Sequence, residues 1–472
     1  MYPEIKFGTD GWRALIARDF TFSNVRACAQ GVAEYISAHR LKKKGVLVGY
    51  DTRFASEDFA AETAEVLAAN GIKVYLCPQA VPTPVVSFGV KSLAAAAGIV
   101  ITASHNGHQW NGFKIKNEEG ASAPTETIEE VEGYIHNLKK APPIISLDEG
   151  IKKGIIEHFD PKPLYIKAVY KLVDVPALRK SELKIAVDSM YGAGIGYFRE
   201  LLLGKAVQLD EIKGERNPFF PGIHPEPIAK NLKDLCKLVP QSRSDIGLAT
   251  DGDADRIGIV DEKGNFLTQL QVYSLLVYYF LEVRGERGPV VTTITCSSMI
   301  PMLGEKYQVP VFETPVGFKY VAPVMQKEDA IIGGEESGGY AFKGHVPERD
   351  GILAGLYFLD FLVRTGKKPS ELLADLYRKV GPHYYDRLDV EFEAEMRQEI
   401  VNRIEESQLK TLAGEKVKTW DRLDGFRFIL ESGDWVLVRF SGTEPLIRIY
   451  AEASSLTRAR KLLGEMRGVL GL

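Results

Sequence analysis

The feature that most constrains this chain is a repeated plan: a short, continuous apolar run, a polar loop at its end, then a helical pattern. Gly45-Val46-Leu47-Val48-Gly49-Tyr50, Gly98-Ile99-Val100-Ile101, Leu183-Lys184-Ile185-Ala186-Val187 and residues 289–293 are such runs. Runs that short with little polar alternation are strands covered on both faces, and strands alternating with helices build a parallel α/β layer. The plan restarts near Leu183 and again near Val260. That spacing is compatible with three successive α/β units, each of about a hundred residues or a little more. Past Pro382 the texture changes to Leu388-Asp389-Val390-Glu391-Phe392-Glu393, a charged alternation that predicts a small α+β unit with an antiparallel sheet.

Bulk properties narrow the class. At 472 residues the chain exceeds one ordinary core, and 45% hydrophobic with 26% charged residues suits a globular protein. A net charge of -4 argues against nucleic acid or an anionic membrane as a general partner. Cys28, Cys77, Cys236 and Cys296 are far apart, with neither zinc-site nor disulfide-framework spacing. Met1-Tyr2-Pro3-Glu4-Ile5-Lys6 lacks the plan of a signal peptide, and no run approaches the roughly 18 apolar residues of a membrane helix. A cytoplasmic protein is the expectation.

Thr250-Asp251-Gly252-Asp253-Ala254-Asp255-Arg256 carries the strongest chemical signal. In an extended segment its three carboxylates project to one side, where like charges are unfavourable without a hard divalent cation. An EF-hand opens similarly, but Arg256 stands where its loop needs glycine, and the flanks 246–249 and 257–260 are strand-like where helices are required. A solvated acidic turn is the remaining alternative.

Other loops take their place along the chain. Phe7-Gly8-Thr9-Asp10-Gly11-Trp12-Arg13 reads as a tight turn or an anion contact, followed by a helix over about 23–39 with Ser23 as N-cap. Thr102-Ala103-Ser104-His105-Asn106 lies just past a strand end, where open α/β sheets place ligands. A Ser104–His105 hydrolase pair is disfavoured, because neighbours on an extended segment point apart and no G-x-S-x-G elbow is present. Composition alone makes Lys114 a solvated surface lysine. Residues 141–163 are linker-like, and Gly192, Gly194 and Gly196 miss the dinucleotide-binding spacing. An amphipathic helix is expected over about 271–283. Gly333-Gly334-Glu335-Glu336-Ser337-Gly338-Gly339 offers a carboxylate and a hydroxyl to sugar hydroxyls, or is a plain surface loop. Arg439-Phe440-Ser441-Gly442-Thr443-Glu444-Pro445 is either a phosphate cradle or a polar turn, and is no Walker loop.

The serine, aspartate, Gly334–Gly338 and Arg439–Pro445 segments, in that order over nearly the whole chain, resemble the α-D-phosphohexomutase superfamily and its phosphoglucomutase/phosphomannomutase family. The resemblance implies three related α/β/α domains and a C-terminal α+β domain resembling the TATA-binding-protein fold, around a central cleft. The expected domains are 1–150, 151–258, 259–378 and 379–472. It implies a phosphoserine at Ser104, whose phosphate joins Asp251, Asp253 and Asp255 around one Mg²⁺. Arg13, His105, Lys114 and Arg256 would serve the transferring phosphate, with Lys114 also a candidate general base or acid. Glu335 and Ser337 would bind sugar hydroxyls, with Thr314 and Gly317 also at the substrate. Arg439, Ser441, Gly442, Thr443 and Arg448 would anchor the other phosphate. The implied reaction interconverts hexose 1- and 6-phosphates of glucose, and of mannose, through bound glucose 1,6-bisphosphate, which is also the activator. Its partner is a small phosphosugar, the chain being a monomer or homodimer. Two departures stand out: Gly107-His108 follows Asn106 where proline is common, and Gly339 replaces a histidine, whose acid/base duty passes to His345. A phosphoglucosamine mutase is the alternative, and a non-catalytic sugar-phosphate-binding protein the alternative from another class.

Overall fold

The apolar runs form the central strands of separate sheets. The computed structural model describes residues 5–204, 206–407, 409–440 and 446–472. The first sheet contains β1 (Trp12–Leu15), β2 (Val46–Tyr50), β3 (Val74–Leu76), β4 (Ala97–Ile101), β5 (Trp110–Lys116) and β6 (Ile156–His158), in the order β1-β5-β4-β2-β3-β6. The second has β7 (Lys184–Asp188), β8 (Gln208–Ile212), β9 (Ile246–Thr250), β10 (Ile257–Val260) and β11 (Phe266–Leu267), ordered β11-β10-β9-β7-β8. The third has β12 (Val290–Thr293), β13 (Val311–Thr314), β14 (Ile332–Gly334) and β15 (Tyr340–Phe342), ordered β13-β12-β14-β15.

One topology recurs in all three. β3-β2-β4, β8-β7-β9 and β13-β12-β14 are parallel trios, and β5, β10 and β15 return antiparallel against the last strand of each. Residues 102–109, 251–256 and 335–339 therefore occupy equivalent places, at the carboxyl end of a parallel strand just before the chain reverses. That is where a sheet of this kind exposes ligand-binding loops. β2, β4 and β9 are buried at every residue, as strands with both faces covered must be.

The fourth sheet holds β16 (Tyr384–Glu391), β17 (Thr411–Leu412), β18 (Glu415–Asp421), β19 (Phe426–Leu430), β20 (Trp435–Phe440) and β21 (Leu446–Ala453), ordered β16-β21-β20-β19-β18-β17 and antiparallel throughout. Side chains of β19 alternate between buried and half-buried, and helices Arg397–Ser407 and Leu456–Leu470 share its core. The expected fold class is the observed one. The second and third units share a continuous apolar core, while the first and fourth have cores of their own.

The structure departs from several local expectations. The first helix, Phe22–Ala38, is capped by Thr21, whose hydroxyl accepts from the Asn24 N–H, and not by Ser23. The helix Gln269–Tyr278 is not amphipathic: Leu270 and every residue from Val272 to Tyr278 are buried, as in a helix covered on all sides. The linker-like stretch carries the helix Leu147–Lys152 and β6, which pairs with β3 beyond residue 150. β6 has three residues and only Ile156 is buried, too little apolar pattern to read in sequence. The second sheet likewise continues through β10 and β11, past residue 258. Among the described residues, no helix is long and apolar enough to cross a membrane.

Candidate active site

The three aspartates do converge, but not by strand alternation. Residues 251–256 form a turn between β9 and β10, with Ala254 in the left-handed region at φ 56°. Each of the buried Asp251, Asp253 and Asp255 places a carboxylate oxygen within 4.8 Å of the others. Backbone contacts hold the turn: Ala254 N–H donates to Asp251 O at 3.1 Å, and Thr83 N–H to Asp253 O at 2.9 Å. The Thr83 hydroxyl also donates to Asp253 Oδ2 at 2.5 Å.

Their charge is only partly compensated. Lys114 Nζ lies 2.8 Å from Asp253 and 3.3 Å from Asp255, and Arg349 lies 2.8 Å from Asp255. Burial, then the Asp255 and Asp253 charges, push the Asp251 carboxyl well up. Burial opposes the charge on Asp253 too, but the Lys114 ammonium and its hydrogen bond hold that group low. Oδ1 of Asp253 and Oδ1 of Asp255 are buried with no hydrogen-bond partner among the described residues. Hard, buried, unpaired oxygens at such spacing fit a divalent cation.

Ser104 stands on the turn between β4 and β5, and its Oγ donates to Asp251 Oδ2 at 2.8 Å. Its φ of 53° is left-handed, which corrects the extended geometry expected for Ser104-His105. That backbone turns the neighbours together, with Ser104 Oγ 3.3 Å from His105 Nδ1. Burial, then the Arg256 and Arg13 guanidinium groups, hold the His105 imidazole well below its usual range. The serine and aspartate loops touch at Gly252, where an added Cβ would stand 2.3 Å from Ser104 O.

Lys114 is not a surface lysine. Only 1% of its side chain is exposed, and besides the aspartates it pairs with Asp10 at 2.8 Å. Although burial opposes its charge, Asp10, Asp253 and Asp255 push its pKa up, so the ammonium persists. Arg13 bonds Asn106 Oδ1 at 2.9 Å, and Arg256 lies 3.6 Å from Glu226 and 3.9 Å from Asp255.

Glu335 and Ser337 lie on the β14–β15 turn, joined to the aspartate loop where Ile257 N–H donates to Gly338 O at 3.0 Å. Burial raises the Glu335 carboxyl against Arg349 and Arg256, and Ser337 Oγ is buried without a partner among the described residues. Glu336 turns to the fourth unit, accepting from Tyr385 OH and Arg387 Nη1, each at 3.3 Å. Thr314 directs its hydroxyl to its own loop, at Pro315 O, while Gly317 has φ 132° and faces Thr9. Arg439 pairs with Asp424 at 2.7 Å and stands opposite Arg448 in the β20–β21 register. Ser441, Gly442 and Thr443 lie outside the described residues.

His345 has partners of its own. Its side chain is buried, Nε2 meets Asp350 Oδ2 at 3.0 Å, and the ring stacks on Phe88. Among the described residues it makes no hydrogen bond to Ser104, Glu335 or the three aspartates. Several groups that do shape the site escaped sequence reasoning. Arg349 joins Asp255, Asp10 and Glu348, and lies 3.5 Å from Glu335. Burial opposes the Asp10 charge, yet Arg349 and Lys114 hold that carboxyl well below the usual range. Asp10 lay in the noted Gly8–Arg13 turn and Arg349 beside His345, but neither residue type marked a partner so far along the chain.

Comparison with known proteins fits the same order of loops. Four domain families described as phosphoglucomutase/phosphomannomutase match the chain: alpha/beta/alpha domain I at residues 4–142, domain II at 163–264, domain III at 270–380, and the C-terminal domain at 392–469. A Thermococcus kodakarensis relative named phosphoglucomutase/phosphomannomutase is 32% identical over 459 residues, covering 97% of this chain and 96% of the relative. The chain belongs to the phosphoglucomutase/phosphomannomutase family. Membership makes it a hexose-phosphate mutase by class, an isomerase that works by phosphoryl transfer on small phosphosugars. A Methanosphaera stadtmanae relative named as a phosphoglucosamine mutase is also 32% identical, over 449 residues, 95% of this chain and 94% of the relative. A crystal structure from Thermus thermophilus, described as a phosphomannomutase, superposes with a TM-score of 0.87 at 35% identity and covers 100% of both chains.

Proposed function

We propose that this family member is a phosphoglucomutase that also accepts mannose phosphates and carries its transferable phosphoryl group on Ser104. The observation behind this reading is the 2.8 Å contact between Ser104 Oγ and Asp251, inside a buried carboxylate cluster with two unpartnered oxygens. A serine in that place, unlike one in a hydrolase triad, faces a carboxylate cluster fit to hold a divalent cation, which suits phosphate chemistry. Asp251, Asp253, Asp255 and an oxygen of the Ser104 phosphate would hold Mg²⁺. When bound, that ion supplies charge neutralisation at the transferring group.

In the first half-reaction the bond between phosphorus and Ser104 Oγ breaks, and one forms to the free hydroxyl oxygen of the hexose phosphate. The hydroxyl proton passes to a base, and His105, whose Nδ1 lies 3.3 Å from Ser104 Oγ, is the acceptor this geometry offers. Lys114, locked in its charged form, acts with Arg13 and Arg256 as a fixed cation at the phosphoryl oxygens. Arg349 adds charge from the third unit. Glu335 and Ser337 position the sugar hydroxyls, with Thr314 and Gly317 shaping the adjoining loop. Arg439 and Arg448 hold the phosphate that does not react, together with Ser441, Gly442 and Thr443. Arg439 and Arg448 are direct cross-strand neighbours, and their two charges, offset only in part by Asp424, converge where an anion can be held. Donor and anchor are thus on different units, so the bound glucose 1,6-bisphosphate must turn around before its other phosphoryl group returns to Ser104.

A phosphoglucosamine mutase is the second reading, favoured by the relatives carrying that name. Coupled assays on glucose, mannose and glucosamine 1-phosphates, with Mg²⁺ and the bisphosphate activator, decide between them. Inactivity on all three would overturn the mutase assignment. Intact mass tests the phosphoserine: phosphatase treatment should remove one phosphate, and Ser104→Ala should never carry it.

A further inference from the structure

Arg53 follows β2, on a different sheet from Glu335 and Ser337, and its side chain is wholly buried. A guanidinium has five N–H donors, and here all five are bonded. Nε donates to Asp51 Oδ2 at 3.0 Å, Nη1 to the carbonyls of Gly107 and Trp110, and Nη2 to those of Ser104 and Asn106, both at 2.6 Å. One side chain therefore gathers the carbonyls along the serine loop. The ring of Phe220, from the second unit, lies over the guanidinium at 5.0 Å.

Asp51 extends the hold to the other side of Ser104. It accepts from the Thr102 hydroxyl at 2.6 Å, and Thr102 Oγ1 in turn accepts from Ser104 N–H at 2.8 Å. Both backbone groups of Ser104 are thus fixed, one through Asp51 and one through Arg53. The residue between them is left-handed, a conformation a serine keeps only where its surroundings over-determine it. An extended Ser104 would lose the geometry that brings its Oγ both to Asp251 and to His105.

We propose that Arg53, with Asp51 and Thr102, is the positioning element that holds Ser104 in the left-handed conformation from which it exchanges the phosphoryl group, and that Phe220 completes this clamp across the domain boundary. The inference rests on Ser104 being the phosphoserine. Lysine keeps the charge but offers three mobile donors in place of a rigid fork. Arg53→Lys should slow Ser104 phosphorylation by glucose 1,6-bisphosphate about 100-fold, the cost of a misplaced reacting group. KM should stay within about twofold of wild type, since the sugar and phosphate anchors sit on other sheets. Phe220→Ala keeps every hydrogen bond and should slow the same step less, by about threefold to tenfold.

The measurement is quenched-flow intact mass of the full chain, with circular dichroism to establish folding. Folded Arg53→Lys with a wild-type phosphorylation rate overturns the proposal, as does a raised KM at unchanged kcat. If Arg53→Lys does not fold, Phe220→Ala decides, and an unchanged rate in it overturns the clamp. A wild-type chain that never accepts phosphate overturns the phosphoserine reading itself, and the clamp's role with it.

Discussion

Lys116 and Glu348, both fully buried, bring their charges to 2.5 Å of one another across the boundary between the first and third units. Lys116 comes from β5 and Glu348 from the loop before helix Gly351–Thr365, and the Ser122 hydroxyl also reaches Glu348. Removing Lys116 leaves the Glu348 carboxylate buried with only Arg349, at 3.2 Å, and the Ser122 hydroxyl to answer it. Lys116→Met should therefore destabilise the protein by about 1–3 kcal/mol, whereas the Lys116→Met/Glu348→Leu pair should recover most of that loss. Urea unfolding of the three proteins checks this, and a single variant as stable as wild type would contradict it.

Lys114 offers a different balance of stability and rate. Its ammonium meets Asp10 and Asp253 at 2.8 Å each. Lys114→Met should lower kcat about 10²–10³-fold, as loss of a preorganised charge at a reacting group does. It should also leave at least one carboxylate uncompensated and lower the unfolding midpoint. Steady-state kinetics beside thermal unfolding would separate the two effects, and unchanged kcat in a folded variant would refute the electrostatic role.

Metal affinity should depend on the serine's covalent state. With three carboxylates alone the site lacks the ligand that the Ser104 phosphate would add. Phosphatase-treated protein should bind Mg²⁺ at least about tenfold more weakly than phosphorylated protein, and Asp253→Asn should weaken it about 10–100-fold. Titration calorimetry reads both, and equal affinity in the two phosphorylation states would contradict the ligand set.

The junction with the fourth unit should respond to pH. His383 Nδ1 meets Glu452 Oε1 at 3.1 Å, and the same oxygen accepts from Ser298 N–H at 2.8 Å, joining β21 to the third unit. Burial opposes charge on His383, but the hydrogen bond and charge of Glu452 raise its pKa above the ordinary value. A raised folded pKa means that the stabilisation is fully present below the unfolded value of about 6.5 and is lost as pH rises through the folded value. Unfolding midpoints measured across that window should fall with pH in wild type and flatten in His383→Asn. Parallel curves would show that His383 does not titrate there.

Much of the architecture was legible because strand burial is a local property. The runs ending at Tyr50, Ile101 and Thr250 are apolar at nearly every position, and each became a central strand. The serine and aspartate loops could be placed at strand ends for the same reason. β6 could not, since a three-residue edge strand with one buried side chain carries no period. The buried helix Gln269–Tyr278 failed differently: its residue types fit either an amphipathic face or complete burial, and only packing against both the second and third units chose between them.

The charged groups mark where sequence reading ends. That Asp251, Asp253 and Asp255 lie near one another follows from their spacing, and that they invite a cation follows from Coulomb's law. Which lysines and arginines answer them does not. Lys114 is 139 residues from Asp253, and Arg349 is 339 from Asp10, so their burial and pairing exist only once separate units pack together. The left-handed turn at Ser104 is equally non-local, being held by Arg53 from an earlier strand end and pressed by Gly252 from the next sheet. His345 shows the converse, a titratable residue in a suggestive segment that packing turned away to Asp350 and Phe88. The sequence by itself determined the buried central strands, the loops at their ends and the clustering of three aspartates, because these depend on near neighbours. The tertiary structure alone decided which charges meet and which serine backbone is strained, because those energies arise between residues that the chain brings together last.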